Sequence, residues 1–69
     1  MFSERLKSLR KARGVTQKAL AASLGLSERH YQGIEYGETK PGFDNLIALA
    51  DYFDVSLDYL VGRSDNPGR

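Results

Sequence analysis

The sequence predicts an all-α fold of five short helices, and three observations predict it. Apolar residues recur at helical spacing, as in Phe2, Leu6 and Leu9 or in Leu20, Ala21 and Leu24. Helix-capping residues and glycines punctuate the chain at regular intervals. No segment alternates apolar and polar residues for long, and valine occurs only at positions 15, 55 and 61.

Ser3 is placed to cap the first helix, with Glu4 in its opening turn and Arg10, Lys11 and Arg13 near its end, as the helix dipole favours. Gly14 closes it. Thr16 caps a second helix, "QKALAASL", and Gly25 suits the left-handed position that ends it, because glycine has no Cβ to clash there. Ser27 caps a third helix that stops at Gly37. "ETKPG" reads as a loop, since Pro41 restricts Lys40 and Gly42 loosens the backbone after it. "FDNLIALADYF" makes the fourth helix, with Phe43, Leu46, Ile47, Ala50 and Phe53 at helical spacing, and Ser56 caps a last short turn, "LDYLV". Residues 1–62 form one domain; 63–69, "RSDNPGR", have nothing to bury and read as a flexible tail.

A chain of 69 residues without cysteine has a small core and neither disulfide nor zinc-thiolate site to reinforce it. No apolar run approaches the ~20 residues of a membrane span, and the first residues lack the apolar core of a signal peptide. A cytoplasmic protein without membrane contact is expected. The net charge of +1 conceals a split: residues 1–40 carry eight bases against four acids, whereas residues 41–69 carry two against five. A polyanion partner for the first part fits that split, and so does ordinary scatter of charge over solvated helix faces.

Between Leu24 and Glu28 stand only Gly25, Leu26 and Ser27. A three-residue turn opening on glycine joins two helices at a steep angle, the helix-turn-helix. Leu20, Ala21, Leu26, Tyr31 and Ile34 then converge on the core, and Glu28, Arg29, Gln32 and Gly33 are left pointing outward.

"TQKALAASLGLSERHYQGIEYGETKPGFDNLIALADYFDVSLDYLVG" resembles the phage-repressor/Cro-type helix-turn-helix family of bacterial and phage regulators. The resemblance runs from about Phe2 to Gly62 and rests on the joint spacing of Thr16-Gln17, Leu20-Ala21, Gly25, Ser27, Ile34-Glu35, Gly37, Pro41, Leu46, Ala50 and "VSLDYLVG". It implies a lambda-repressor-like domain whose third helix lies in the major groove of double-stranded DNA, with Ser27, Glu28, Arg29, His30, Gln32 and Gly33 towards the bases. Arg29 suits guanine O6 and N7, Gln32 suits adenine, and Glu28 can accept from cytosine N4 or simply serve the helix dipole. Gly33 offers no side chain where the family presents one; it permits a close approach to DNA, or the position reads nothing. Tyr31 is bulkier than the family prefers, and its ring is expected in the core with the hydroxyl near the edge.

The resemblance also implies phosphate contacts by Thr16, Gln17, Lys18, Tyr36, Thr39 and Lys40, and an ion pair between Arg10 and Glu35 that fixes the third helix. Tyr52, Leu57 and Tyr59 would form a twofold homodimer interface, setting two recognition helices about 34 Å apart on a palindromic operator. No cofactor, metal or small-molecule ligand is implied. Ser27, Glu28 and His30 superficially suggest a catalytic trio, but they share one surface turn with no pocket, so the chain does not read as an enzyme. The rival reading is a protein-interaction module of antitoxin or scaffold type, with the aromatic C-terminal end as its docking patch.

Overall fold

The computed structural model describes residues 2–68. Its helices are α1 (Phe2–Arg13), α2 (Gln17–Leu24), α3 (Glu28–Glu35), α4 (Phe43–Phe53) and α5 (Leu57–Leu60), and no strand occurs among the described residues. Three of the expected caps form. The hydroxyls of Thr16, Ser27 and Ser56 accept from the N–H groups of Ala19, His30 and Tyr59, each at 3.0 Å. A cap of this kind is worth about 1 kcal/mol to its helix. Ser3 is not a cap: α1 already begins at Phe2, so Ser3 lies inside the first turn, its hydroxyl beside Gly37.

Gly25 adopts φ 71°, and the N–H of Leu26 reaches back to the carbonyl of Ala21 at 2.9 Å. This closure turns the chain sharply between α2 and α3, the pair of helices most extensively packed on one another. Asp54 provides the same left-handed exit from α4, at φ 54°, a conformation that aspartate tolerates better than most residues.

Leu6, Leu20, Tyr31, Ile34, Leu49 and Leu60 are fully buried and come from all five helices. On α4 the inward stripe is Leu46, Leu49, Ala50 and Phe53, with Leu46 partly buried. Phe43 and Ile47 were expected on that face, but they are 71% and 36% exposed. Both lie on the flank of the helix, roughly 70° and 110° from the centre of the buried stripe at 3.6 residues per turn.

The chain after Gly62 is hydrogen-bonded back onto the fold. Arg63 and Ser64 donate their N–H groups to the carbonyl of Asp58 at 2.8 and 3.2 Å, and the Ser56 N–H donates to the carbonyl of Pro67 at 3.2 Å. Arg5 Nη1 donates to the carbonyls of Tyr59 and Ser64 at 2.8 and 2.9 Å. Backbone polarity and one arginine therefore hold the segment against α1 and α5 without apolar burial. Arg69 lies outside the described residues.

Candidate nucleic-acid interface

The two sides of α3 differ in kind. Tyr31, Ile34 and Glu35 are buried, whereas Glu28, Arg29 and His30 are exposed and Gln32 is half-buried. The buried side carries a carboxylate, and its surroundings explain how the core tolerates one. Arg10 of α1 grips Glu35 bidentately, Nε to Oε2 at 2.8 Å and Nη2 to Oε1 at 2.9 Å. Tyr31 donates its hydroxyl to Oε2 at 2.5 Å, and Gln17 donates Nε2 to Oε1 at 3.1 Å. Burial by itself would push the Glu35 carboxyl up; the hydrogen bonds from Arg10, Tyr31 and Gln17 outweigh it and hold the group below the usual carboxylate range. Arg10 is raised by its bond to Glu35, against the effect of burial. Burial, then the bond to Glu35, push the Tyr31 hydroxyl well above its ordinary value. The ring of Tyr31 is in the core as expected, but its hydroxyl is internal, on Glu35, and not at the edge.

From this anchor the hydrogen bonds run outward. Gln17 Nε2 also donates to the Tyr36 hydroxyl at 3.3 Å, and Gln32 Nε2 donates to Gln17 Oε1 at 3.2 Å. Both amide hydrogens of Gln17 are thus engaged, and α2, α3 and Tyr36 are tied together at the rim of the outward face. Thr16, Gln17, Glu28 and Tyr36 line a shallow concavity between α1 and α3 that Lys7 and Lys11 also enter. Lys18 and Lys40 are exposed.

Gly33 does not lie open. Counting 3.6 residues per turn puts it roughly 150° from the centre of the buried face of α3. It is nevertheless buried, because the loop after α3 folds over it. The N–H groups of Glu38 and Thr39 both donate to the Gly33 carbonyl, at 2.8 and 3.1 Å, and a Cβ at position 33 would stand 2.8 Å from Thr39 Oγ1. The expectation that Gly33 itself points outward to a partner is corrected: Thr39 covers it.

Of the three residues expected at a dimer interface, Leu57 alone is exposed, at 38%. Tyr59 lies under the Arg5 guanidinium, 4.0 Å from its ring centroid, and Tyr52 packs edge-on to Phe53 with Arg13 5.5 Å above its ring. Arginine stacking covers part of the aromatic surface that the sequence left available.

The family pattern of helix-turn-helix proteins matches residues 6–60, most of the chain. The chain belongs to the helix-turn-helix family. This helix-turn-helix domain is 42% identical over 67 residues to the uncharacterized HTH-type transcriptional regulator YobD of Bacillus subtilis, covering 97% of this chain and 60% of that protein. It is 42% identical over 62 residues to the cryptic phage CTXphi transcriptional repressor RstR of Vibrio cholerae, covering 90% of this chain and 55% of RstR. The domain thus spans little more than half the length of such relatives. The P22 c2 repressor, solved in complex with synthetic operator 9T, superposes with a TM-score of 0.84 at 33% identity, over 93% of this chain and 97% of that one. A transcriptional regulator from Listeria innocua gives 0.86 at 40% identity, over 90% of this chain and 58% of that one.

Lys7 and Lys11, which line this concavity, were not among the residues expected at the interface from the sequence. Their i, i+4 spacing on the polar side of α1 was the available signal, since it places two cations one above the other. Nothing local says that this side of α1 borders α3; only the long-range clasp between Arg10 and Glu35 does.

Proposed function

We propose that this helix-turn-helix domain binds double-stranded DNA as a homodimeric transcriptional repressor, with α3 in the major groove of a palindromic operator. The observation that carries the reading is the state of Arg29. Arg5, Arg10 and Arg13 are all committed to partners within the fold, and Arg63, whose side chain is also without a partner among the described residues, lies beyond α5 and not on α3. Arg29 is exposed on the outward face of α3 and makes no ion pair, hydrogen bond or ring contact with any described residue. An arginine left free beside Glu28, His30 and Gln32 keeps its planar fork available for a bidentate contact to guanine. The fold's likeness to a repressor solved on its operator supports the same placement.

Phosphates on one side of the groove would meet the concavity between α1 and α3. Lys7 and Lys11 supply charge there, and the N–H groups of Gln17 and Lys18 face out at the open end of α2. Tyr36 accepts from Gln17 and keeps its own hydroxyl hydrogen to donate. Thr16 accepts the cap bond from the Ala19 N–H and, like Tyr36, keeps its hydroxyl hydrogen to donate to a phosphate. Lys40 would serve the opposite phosphate strand. Dimerisation through the end bearing Leu57, with Tyr52 and Tyr59 beneath their arginines, completes the reading.

Titrating the protein with duplex DNA over a range of salt concentrations tests it. Affinity should fall linearly on a log–log plot through counterion release, and Lys7→Gln with Lys11→Gln should reduce that slope by about 2. Binding that ignores salt would refute DNA recognition. It would favour a second reading, a protein-docking module, for which the exposed Phe43 and its neighbour Ile47 one turn on provide an apolar surface.

A further inference from the structure

We infer that Thr39, carried on the loop after α3 and assigned by the resemblance to a phosphate, instead reads a base in place of the side chain that Gly33 lacks. The inference rests on the DNA-binding reading and deepens it. By helical position, residue 33 belongs to the outward face one turn beyond Arg29, ~6 Å along the axis. A side chain at 33 would therefore project beside that of Arg29. In this chain the space is taken by Thr39, whose Oγ1 and Cβ lie 2.8 and 3.4 Å from where the Cβ of residue 33 would be. The placement is fixed rather than incidental, because the backbone N–H groups of Glu38 and Thr39 both bond the Gly33 carbonyl. Glycine is the residue that permits this approach; any Cβ would force Thr39 aside.

The Thr39 hydroxyl makes no hydrogen bond to a described residue, and Thr39 remains exposed. Once a duplex covers this face, water leaves and an unpaired hydroxyl becomes costly. A threonine hydroxyl both donates and accepts, so it pairs with a polar base edge of either polarity and disfavours a base that presents no polar atom there, such as the thymine methyl. Discrimination then comes from a loop residue placed over the recognition helix, at a base pair within about two of the one that Arg29 contacts.

The test is selection from a randomised duplex library with the whole chain, and then competition binding against every single-base change in the selected site. Thr39→Val keeps the shape and removes the hydroxyl; discrimination at one base pair near that of Arg29 should fall about five- to tenfold, with other positions unaffected. Thr39→Ser keeps the hydroxyl and should stay within about twofold of the parent. Gly33→Ala should lose the same preference by displacing Thr39, and adding Thr39→Val to it should cost nothing further, the mark of a shared role. Equal weakening on all sequences by Thr39→Val would overturn the inference and assign the residue to a phosphate; no change at all would overturn it too. A parent protein that selects no sequence would instead end the DNA-binding reading itself, before any variant is compared.

Discussion

Replacing Glu35 with alanine is expected to destabilise the fold by about 3–5 kcal/mol, because removing one partner of a buried ion pair strands the other. Glu35 is 3% exposed, and the Arg10 side chain that grips it is 12% exposed. The same substitution leaves the hydroxyl of fully buried Tyr31 and one hydrogen of Gln17 without an acceptor. A 69-residue domain has a total stability of roughly 3–10 kcal/mol, so the loss approaches unfolding. Urea unfolding monitored by circular dichroism measures it; a loss below about 1 kcal/mol would contradict the role assigned to the cluster. Tyr31→Phe should cost far less, since Arg10 and Gln17 still satisfy the carboxylate. The cluster also sets a pH dependence. Glu35 titrates lower in the folded state than in the unfolded chain, so on acidification the unfolded chain takes up the proton first. The stabilisation is present above the unfolded value of about 4.3 and is lost as the pH falls through the lower folded value. Tyr31 is raised, so its contribution is intact below the unfolded value of about 10 and declines as the pH climbs past it.

Local rules were enough wherever a feature is decided within a few residues. Thr16, Ser27 and Ser56 cap because a hydroxyl two or three residues before an orphan N–H has little else to do, and Gly25 turns the chain because it alone escapes the left-handed penalty. The inward side of α3 was legible from Tyr31 and Ile34. The features that were not legible depend on contacts far apart in sequence. Phe43 and Leu49 are equally apolar, and the choice between them as core residues is made by where α2 and α5 meet α4. The tail lacks apolar residues, yet Arg5, more than fifty positions earlier, secures it through carbonyl oxygens that carry no sequence signature. Gly33 showed a missing side chain but could not show which other residue fills the gap. Side-chain identity gives the chemistry available at the site; the loop's path decides which chemistry faces out.

Arg29→Ala should lower affinity for the selected operator about 5- to 150-fold, the range of one good bidentate base contact at 1–3 kcal/mol, while affinity for random duplex changes little. The separation comes from how the fold uses its arginines. Arg5 and Arg13 stack on Tyr59 and Tyr52, and Arg10 is locked to Glu35, so substituting any of these perturbs folding before it perturbs binding. Arg29 is bonded to nothing described, and its removal should leave stability within about 0.5 kcal/mol of the parent, as for other surface changes. Arg29→Lys sharpens the test. Lysine keeps the charge but loses the planar fork, so it should retain the salt dependence of the parent and still lose preference at one base pair. If lysine restored the preference in full, attraction to phosphate would account for Arg29, and the base-reading face of α3 would have to be sought around Glu28, His30 and Gln32.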